Sequence, residues 1–356
     1  MKYLFFLFFF FTTPFLSAQL PQGVTLSGYL ELYYCYDLGK PANHERPYMY
    51  SFTQHNELNV NLSYVKLAYN QKKLRCNLAI MAGTYANANL ATEPGGLKNI
   101  YEGNIGIKIA KKRNIWADVG VFSAHIGFEG AVAKDCWTMS RSILSEYSPF
   151  YESGVKVTYL SLNEELLLSV LLLNGWQHIH RPNGNNSPSF GMQIQYKPRM
   201  AMTLNYSNFI GNDKPDSVAQ FRHFHNFYAI AQVTEKTGIS LGFDIGQEQN
   251  AVYKSKYSTW YSPLLIVRQA IGKKWFVCTR LEYYRDMHNV LINTSPTNVQ
   301  GYRTFGYSNN VDFHYNKNLL WRVEARYFQS KDAIFTLNRQ PSTFSLFFTS
   351  SLAVAF

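Results

Sequence analysis

The sequence predicts an all-β fold, a transmembrane antiparallel up-and-down β-barrel, and three observations lead to it. Apolar and polar side chains alternate at period two in about sixteen separate runs. Tight polar connections and long connections take turns between those runs, as they do when hairpin turns lie on one side of a membrane and loops on the other. Aromatic residues are abundant, with Tyr 26 and Phe 26, while only 16% of the chain is charged. An exported soluble protein of this size carries roughly 25% charged residues.

Ahead of the first run, residues 1–18 read as a cleaved signal peptide. Lys2 supplies the positive end, Leu4–Phe11 is an apolar stretch too short to span a bilayer, and Pro14 ends it. Leu16-Ser17-Ala18 resembles a small-residue cleavage site with Leu16 its imperfect position; a retained anchor is the competing reading. Removal of Lys2 lowers the formal charge of +11 by one. The rest, 19–356, is expected to form one barrel domain.

The expected strands cover 24–37, 56–69, 74–85, 101–110, 115–125, 151–162, 165–176, 189–197, 199–209, 221–234, 238–247, 257–271, 274–286, 301–315, 319–329 and 342–356; fourteen or eighteen strands are the alternatives. Between alternate pairs lie turns such as "NQKK" at Asn70–Lys73, "EKTG" at Glu235–Gly238 and "NKN" at Asn316–Asn318, all suited to reversing the chain. The long connections, among them Leu38–His55, Ile126–Phe150 and Met287–Gln300, belong to the opposite, extracellular side. A β-sandwich would link its strands irregularly instead.

Strand faces separate cleanly. In the eleventh run Ile239, Leu241, Phe243 and Ile245 oppose Ser240, Gly242, Asp244 and Gly246. In the fifteenth, Trp321, Val323, Ala325 and Tyr327 oppose Arg322, Glu324 and Arg326. An arginine against mid-bilayer lipid costs about 2–4 kcal/mol, so the charged face is expected to line water. The seventh run, "ELLLSVLLLNGW", is apolar on both faces, which places its inner side under a loop or at a plugged patch. The chain closes on "SLFFTSSLAVAF", whose outward Leu352, Val354 and Phe356 are expected to face lipid and whose terminal aromatic resembles the recognition strand read by the barrel-assembly machinery.

Ile126–Phe150 is the third long connection and the longest. In general porins the third long loop folds into the lumen and sets its narrowest point. This one carries Glu129, Lys134, Asp135, Arg141 and Glu146, and its middle, Met139–Tyr147, is able to form a short helix. Opposed charges across a narrow passage create a transverse field that filters polar solutes. The ladder of Arg280, Glu282, Arg322, Glu324 and Arg326 is the natural opposite wall; its other reading is an ion-pair network that stiffens the barrel. Lys66, Lys108, Lys156 and Arg268 are weaker candidates. A surplus of bases along the walls tilts the passage toward anions.

Other chemistries find less footing. Cys35, Cys76, Cys136 and Cys278 lack metal-type spacing and are expected to be free packing residues. The scattered bases form no nucleic-acid motif. His178–His180 and His223–His225 pair at i and i+2 without acidic or thiol partners, so no metal is expected and solvated loop or lumen positions are the plainer account. A hydrolase would need a nucleophile, a histidine and an orienting acid; Ser123 and His125 share a strand face, but no third member or G-x-S-x-G elbow accompanies them. No enzyme activity and no cofactor are expected. A loop-plugged barrel serving as a scaffold is the further alternative.

Three stretches resemble the OmpL-like putative β-barrel porin family of Gram-negative outer membranes. They are "GVFSAHIGFEG" (Gly120–Gly130), "SRSILSEYSPFYESGVKVTY" (Ser140–Tyr159) and "LLNGWQHIHRPNGNNSPSFGMQIQYKP" (Leu172–Pro198). The family features fall on Ile126-Gly127 with Glu129, Arg141-Ser142, Pro149 with Tyr151, and Asn174-Gly175-Trp176; Val121 stands where an aromatic is commoner. The resemblance implies a passive diffusion channel in the outer membrane, without catalytic residues or a defined substrate. Its expected partners are small hydrophilic solutes, outer-membrane lipid and the barrel-assembly machinery, with a homotrimer as one possible assembly.

Overall fold

The computed structural model describes residues 20–199, 201–294, 301–338 and 340–356. The expected signal peptide at 1–18 lies outside them. Sixteen strands close into a barrel: β1 (Val24–Asp37), β2 (Leu58–Asn70), β3 (Leu74–Ala82), β4 (Ile100–Lys108), β5 (Asn114–Ser123), β6 (Tyr151–Leu160), β7 (Leu166–Leu173), β8 (Ser189–Arg199), β9 (Met202–Asn212), β10 (Phe221–Gln232), β11 (Thr237–Gln249), β12 (Tyr257–Ala270), β13 (Trp275–Asp286), β14 (Tyr302–His314), β15 (Leu319–Ser330) and β18 (Phe344–Ala355). Two short strands, β16 (Phe335–Leu337) and β17 (Gln340–Ser342), form a separate hairpin in the last long connection. Each barrel strand pairs antiparallel with its sequence neighbour, and β18 closes the ring on β1. No helix among the described residues is long and apolar enough to cross a membrane.

The alternating faces fold as their pattern requires. Along β15, Arg322, Glu324, Arg326 and Phe328 are buried inside the barrel, while Trp321 is 40% exposed on the outside. Along β7 the inner Leu171 and Leu173 join a hydrophobic cluster with Ile126, Phe122 and Phe209, so the doubly apolar strand does lie beneath the base of a loop. The closing strand keeps Phe347, Thr349, Ser351 and Ala353 inside and turns Phe348 and Leu352 outward.

At the seam, the backbone N–H of Phe356 donates to the carbonyl of Gly28 (3.0 Å), and that of Gly28 donates back (2.9 Å). The Phe356 ring lies over Gly28, where an added Cβ would collide with it. The glycine therefore admits the aromatic that ends the strand.

The structure departs from the sequence reading in four places. The third expected strand stops at Ala82, and Thr84–Asn89 forms a short helix, α1. The expected helix within Met139–Tyr147 shrinks to α2, Ile143–Glu146. The first long connection also turns inward, with Phe52 and Ser51 fully buried and Met49 6% exposed. Finally, His223 and His225 alternate with inward Arg222, Phe224 and Asn226, which puts both histidines on the outer face with Phe221 and Phe227. There the His225 ring meets the Tyr206 hydroxyl at 2.9 Å.

Candidate functional site

The third long loop, residues 126–150, folds into the barrel and is organised around its own two strongest charges. Glu129 accepts hydrogen bonds from the hydroxyls of Thr138 (2.7 Å), Ser145 (2.9 Å) and Ser142, and from the Ser142 backbone N–H (3.0 Å). Arg141 donates to the carbonyls of Gly130, Ala131 (2.7 Å) and Met139 (2.8 Å). Irregular backbone has no ladder to satisfy its carbonyls, and a buried guanidinium with five donors supplies what the loop lacks. Ser142 caps α2 by accepting from the Ser145 N–H (3.2 Å).

The wall of β13, β14 and β15 holds this loop in place. Arg280 donates to the Ser140 carbonyl (2.7 Å) and to Glu324 (3.0 Å), and lies 3.3 Å from Glu282. Arg322 forks onto both oxygens of Asp312 (2.9 and 2.8 Å) and reaches the loop carbonyls of Ala133 (2.7 Å) and Trp137 (2.8 Å). Arg326 pairs with Glu282 (2.6 Å) and donates to the Arg141 carbonyl (2.7 Å). Glu282 in turn accepts the Ile143 N–H at the start of α2 (2.7 Å).

Each arginine thus divides its donors between acids on the wall and carbonyls on the loop. All three are 0% exposed, as is Arg141; Glu324, Glu282, Glu146 and Glu129 lie between 1% and 6%. The ladder expected to face water is sealed beneath the loop instead. Those charges were expected to stand apart across an open passage, but the loop carbonyls meet them directly.

Only two of the ten candidates escape the seal: Lys134 is half-buried and Asp135 is exposed. Glu146 serves a further junction, accepting from the Tyr50 N–H (2.9 Å) and the Ser51 hydroxyl of the first loop. Burial pushes the Glu146 carboxyl above its ordinary range. Burial acts on Glu129 in the same direction, but Arg280 and the Ser142 and Thr138 donors outweigh it and hold that carboxyl below its ordinary range.

The opposite wall is open. Strands β2–β6 line a 340 Å³ cavity with Lys66, Arg75, Glu102, Asp118, Ser123 and Lys156. Lys66 pairs with Glu102 (2.6 Å), and Arg75 donates through Nε to Asp118 (2.7 Å) while stacking on Trp116 (4.5 Å). The Lys156 ammonium sits 4.2 Å above the Phe122 ring, and among the described residues no carboxylate lies within ion-pairing distance of it. Arg268 likewise rests on an inner aromatic, Phe276 (4.0 Å), without an acidic partner among the described residues.

Lys66, Lys156 and Arg268 were minor candidates in the sequence, and Arg75 and Asp118 were not singled out. The signal for those two was present: Arg75 shares a face with Asn77 and Met81, opposite the apolar Leu74, Leu78 and Ile80.

The hydrolase constellation does not assemble. Both ring nitrogens of His125 are occupied, one by Glu152 (2.8 Å) and the other by the Asn208 carbonyl (2.8 Å), while Ser123 turns to Glu102 (3.4 Å). Among the described residues no group of three or more His, Cys, Asp or Glu comes together as a metal site. All four cysteines are free thiols.

Comparison with known proteins agrees with this architecture. The family described as putative beta-barrel porin-2, OmpL-like, matches residues 23–356. Among solved structures, an anion-selective porin from Comamonas acidovorans superposes with a TM-score of 0.62 at 8% identity, covering 94% of this chain and 99% of that one. The outer membrane channel DcaP of Acinetobacter baumannii gives 0.61 at 10% identity, covering 94% and 97%. The trimer form of OmpT, an outer membrane protein of Vibrio cholerae, gives 0.59 at 8% identity, covering 94% and 99%. At such identities the likeness is one of fold. No curated protein matches by sequence.

Proposed function

The chain belongs to the putative beta-barrel porin-2, OmpL-like, family, a porin of the Gram-negative outer membrane, and from that premise we propose that it passes small hydrophilic solutes by passive diffusion with a preference for anions. One observation carries the preference. The acids of the open cavity, Glu102 and Asp118, are paired with Lys66 and Arg75, whereas Lys156 and Arg268 hold cations over aromatic rings with no carboxylate within ion-pairing distance among the described residues. Asp135 is the exposed acid set against them, with Lys134 adjacent to it. An unpaired cation in a narrow, partly desolvated passage attracts anions more strongly than the same charge in bulk water.

The test is planar-bilayer recording of the refolded chain in a salt gradient. The expected result is a stable open conductance whose reversal potential favours anions. A cation-favouring potential would remove the preference while leaving the channel.

A second reading draws on the packing of the third loop, whose Met139 and Ile143 are 0% exposed within a hydrophobic cluster shared with Phe52 of the first loop. Such packing suits a plugged barrel that serves as a scaffold. Silence in the bilayer, both intact and after removal of the third loop, would favour it. We further infer export through a cleaved signal peptide at residues 1–18, assembly as a homotrimer, and recognition of the Phe356, Val354 and Leu352 face by the barrel-assembly machinery; cross-linking of the membrane-inserted chain tests the trimer.

A further inference from the structure

The arginines of the sealed wall point inward, but Arg285 on β13, Arg303 on β14 and Lys331 just past β15 form a second basic set on the outer face. Arg285, one residue before the end of β13, stands directly opposite Arg303 on β14. Lys331, just past β15, extends the row, its backbone N–H donating to the Arg303 carbonyl (3.1 Å). Like charges facing one another across adjacent strands are destabilising unless something neutralises them. Among the described residues no carboxylate lies within ion-pairing distance of any of the three, Asp332 included. Residues 295–300 contain no acid either. The Nε of Arg303 is buried and without a hydrogen-bond partner.

The position of the row says what could neutralise it. One step toward the barrel middle on the same outer face, Tyr283 opposes Phe305; the next step brings Leu281 opposite Tyr307. Phe305 is 44% exposed and Tyr307 38%, so this tier lies on the outside of the barrel as an aromatic girdle. The guanidinium of Arg285 lies 5.9 Å from the Tyr261 ring, at the same level. The long connection 287–301 begins and ends beside the two arginines, so the row stands at the extracellular rim. Immediately beyond an aromatic girdle lies the headgroup layer of the outer leaflet. Guanidinium groups bind phosphate through paired, charge-assisted hydrogen bonds.

We propose that Arg285, Arg303 and Lys331 form an exterior binding site for the phosphate-bearing headgroup of an outer-leaflet lipid. The lipid phosphate supplies the negative charge that the protein withholds from this face, and Tyr283 and Phe305 pack against the upper part of its acyl chains. The site is independent of the lumen, so conductance and lipid binding separate.

The test compares binding of phosphatidic acid and of diacylglycerol with the same chains to the purified, detergent-solubilised full-length barrel, followed by native mass spectrometry. The expected result is selective retention of phosphatidic acid, weakened about tenfold by R285Q combined with R303Q. Lys331→Gln, which lies outside the strands and leaves barrel pairing intact, should weaken it about threefold. Equal retention of the two lipids, unchanged binding in folded variants, or displacement by inorganic phosphate at equal concentration would each overturn the proposal. Heat-modifiable migration on a gel identifies the folded variants.

Discussion

The two halves of the inner wall use charge in opposite ways. On β13–β15 every inward arginine meets a carboxylate and a loop carbonyl, and none is exposed. On β2–β6 the charges line a cavity, and Lys156 has only a ring beneath it. The difference shows how to separate structural from functional charge in a barrel. A charge whose hydrogen-bonding capacity is filled by protein is holding the chain together. One left over in an open cavity is available to a solute.

The largest effect should come from breaking the sealed half. Arg326→Ala leaves Glu282 buried without its closest partner, and breaking a buried pair in this way costs about 3–5 kcal/mol. Urea unfolding of the refolded barrel should move to lower concentration, and loss of the seal should appear as noisier conductance. An unchanged midpoint would mean that the loop is held by something other than this rack.

Acid should weaken the same half. The Glu129 carboxyl is depressed in the folded state, so its contribution is complete above the ordinary glutamate value of 4.5 and is lost as pH falls below it. Glu146, raised by burial, works in the other sense: its contribution is present below 4.5 and is lost as pH rises through its elevated value. Thermal unfolding across this acidic range in E129Q and E146Q should therefore flatten opposite limbs of the profile. Identical profiles would deny both carboxylates a part in docking the loop.

In the open half, Lys156→Gln should weaken the anion bias of the passage while changing stability by within about 1 kcal/mol, since the side chain makes a partly exposed cation–π contact and no close ion pair among the described residues. The reversal potential in a salt gradient reads the first effect and urea unfolding the second. A large stability loss with no shift in potential would place Lys156 with the structural charges.

The smallest effect is expected at the seam, where Phe356→Ala removes a ring that is 68% exposed and touches Gly28. Unfolding of the finished barrel should move little, while the yield of membrane-inserted protein in cells should fall. An unchanged yield would detach the terminal aromatic from assembly.

Much of this fold could be read along the chain because a membrane barrel repeats one local rule. Lipid outside and a packed or wet interior impose a period of two on every strand, so the faces of β8, β11 and β15 followed from alternation alone. The candidate site was legible only in part. Alternation showed that Arg322, Glu324 and Arg326 point inward, but not whether water or a loop would meet them. His223 and His225 were misplaced for a related reason: aromatic and histidine side chains suit both a rim facing lipid and a lumen, so composition did not choose their face.

The sequence by itself determined the strand order, the facing of most side chains and the alternation of short turns with long loops, because each depends on residues close together in the chain, while closure of the ring fixed the count at sixteen. Tertiary structure alone decided which inward charges are satisfied. That outcome depends on where a loop anchored at Ile126 and Phe150 lays its carbonyls against strands more than a hundred residues away, and no local pattern encodes that meeting.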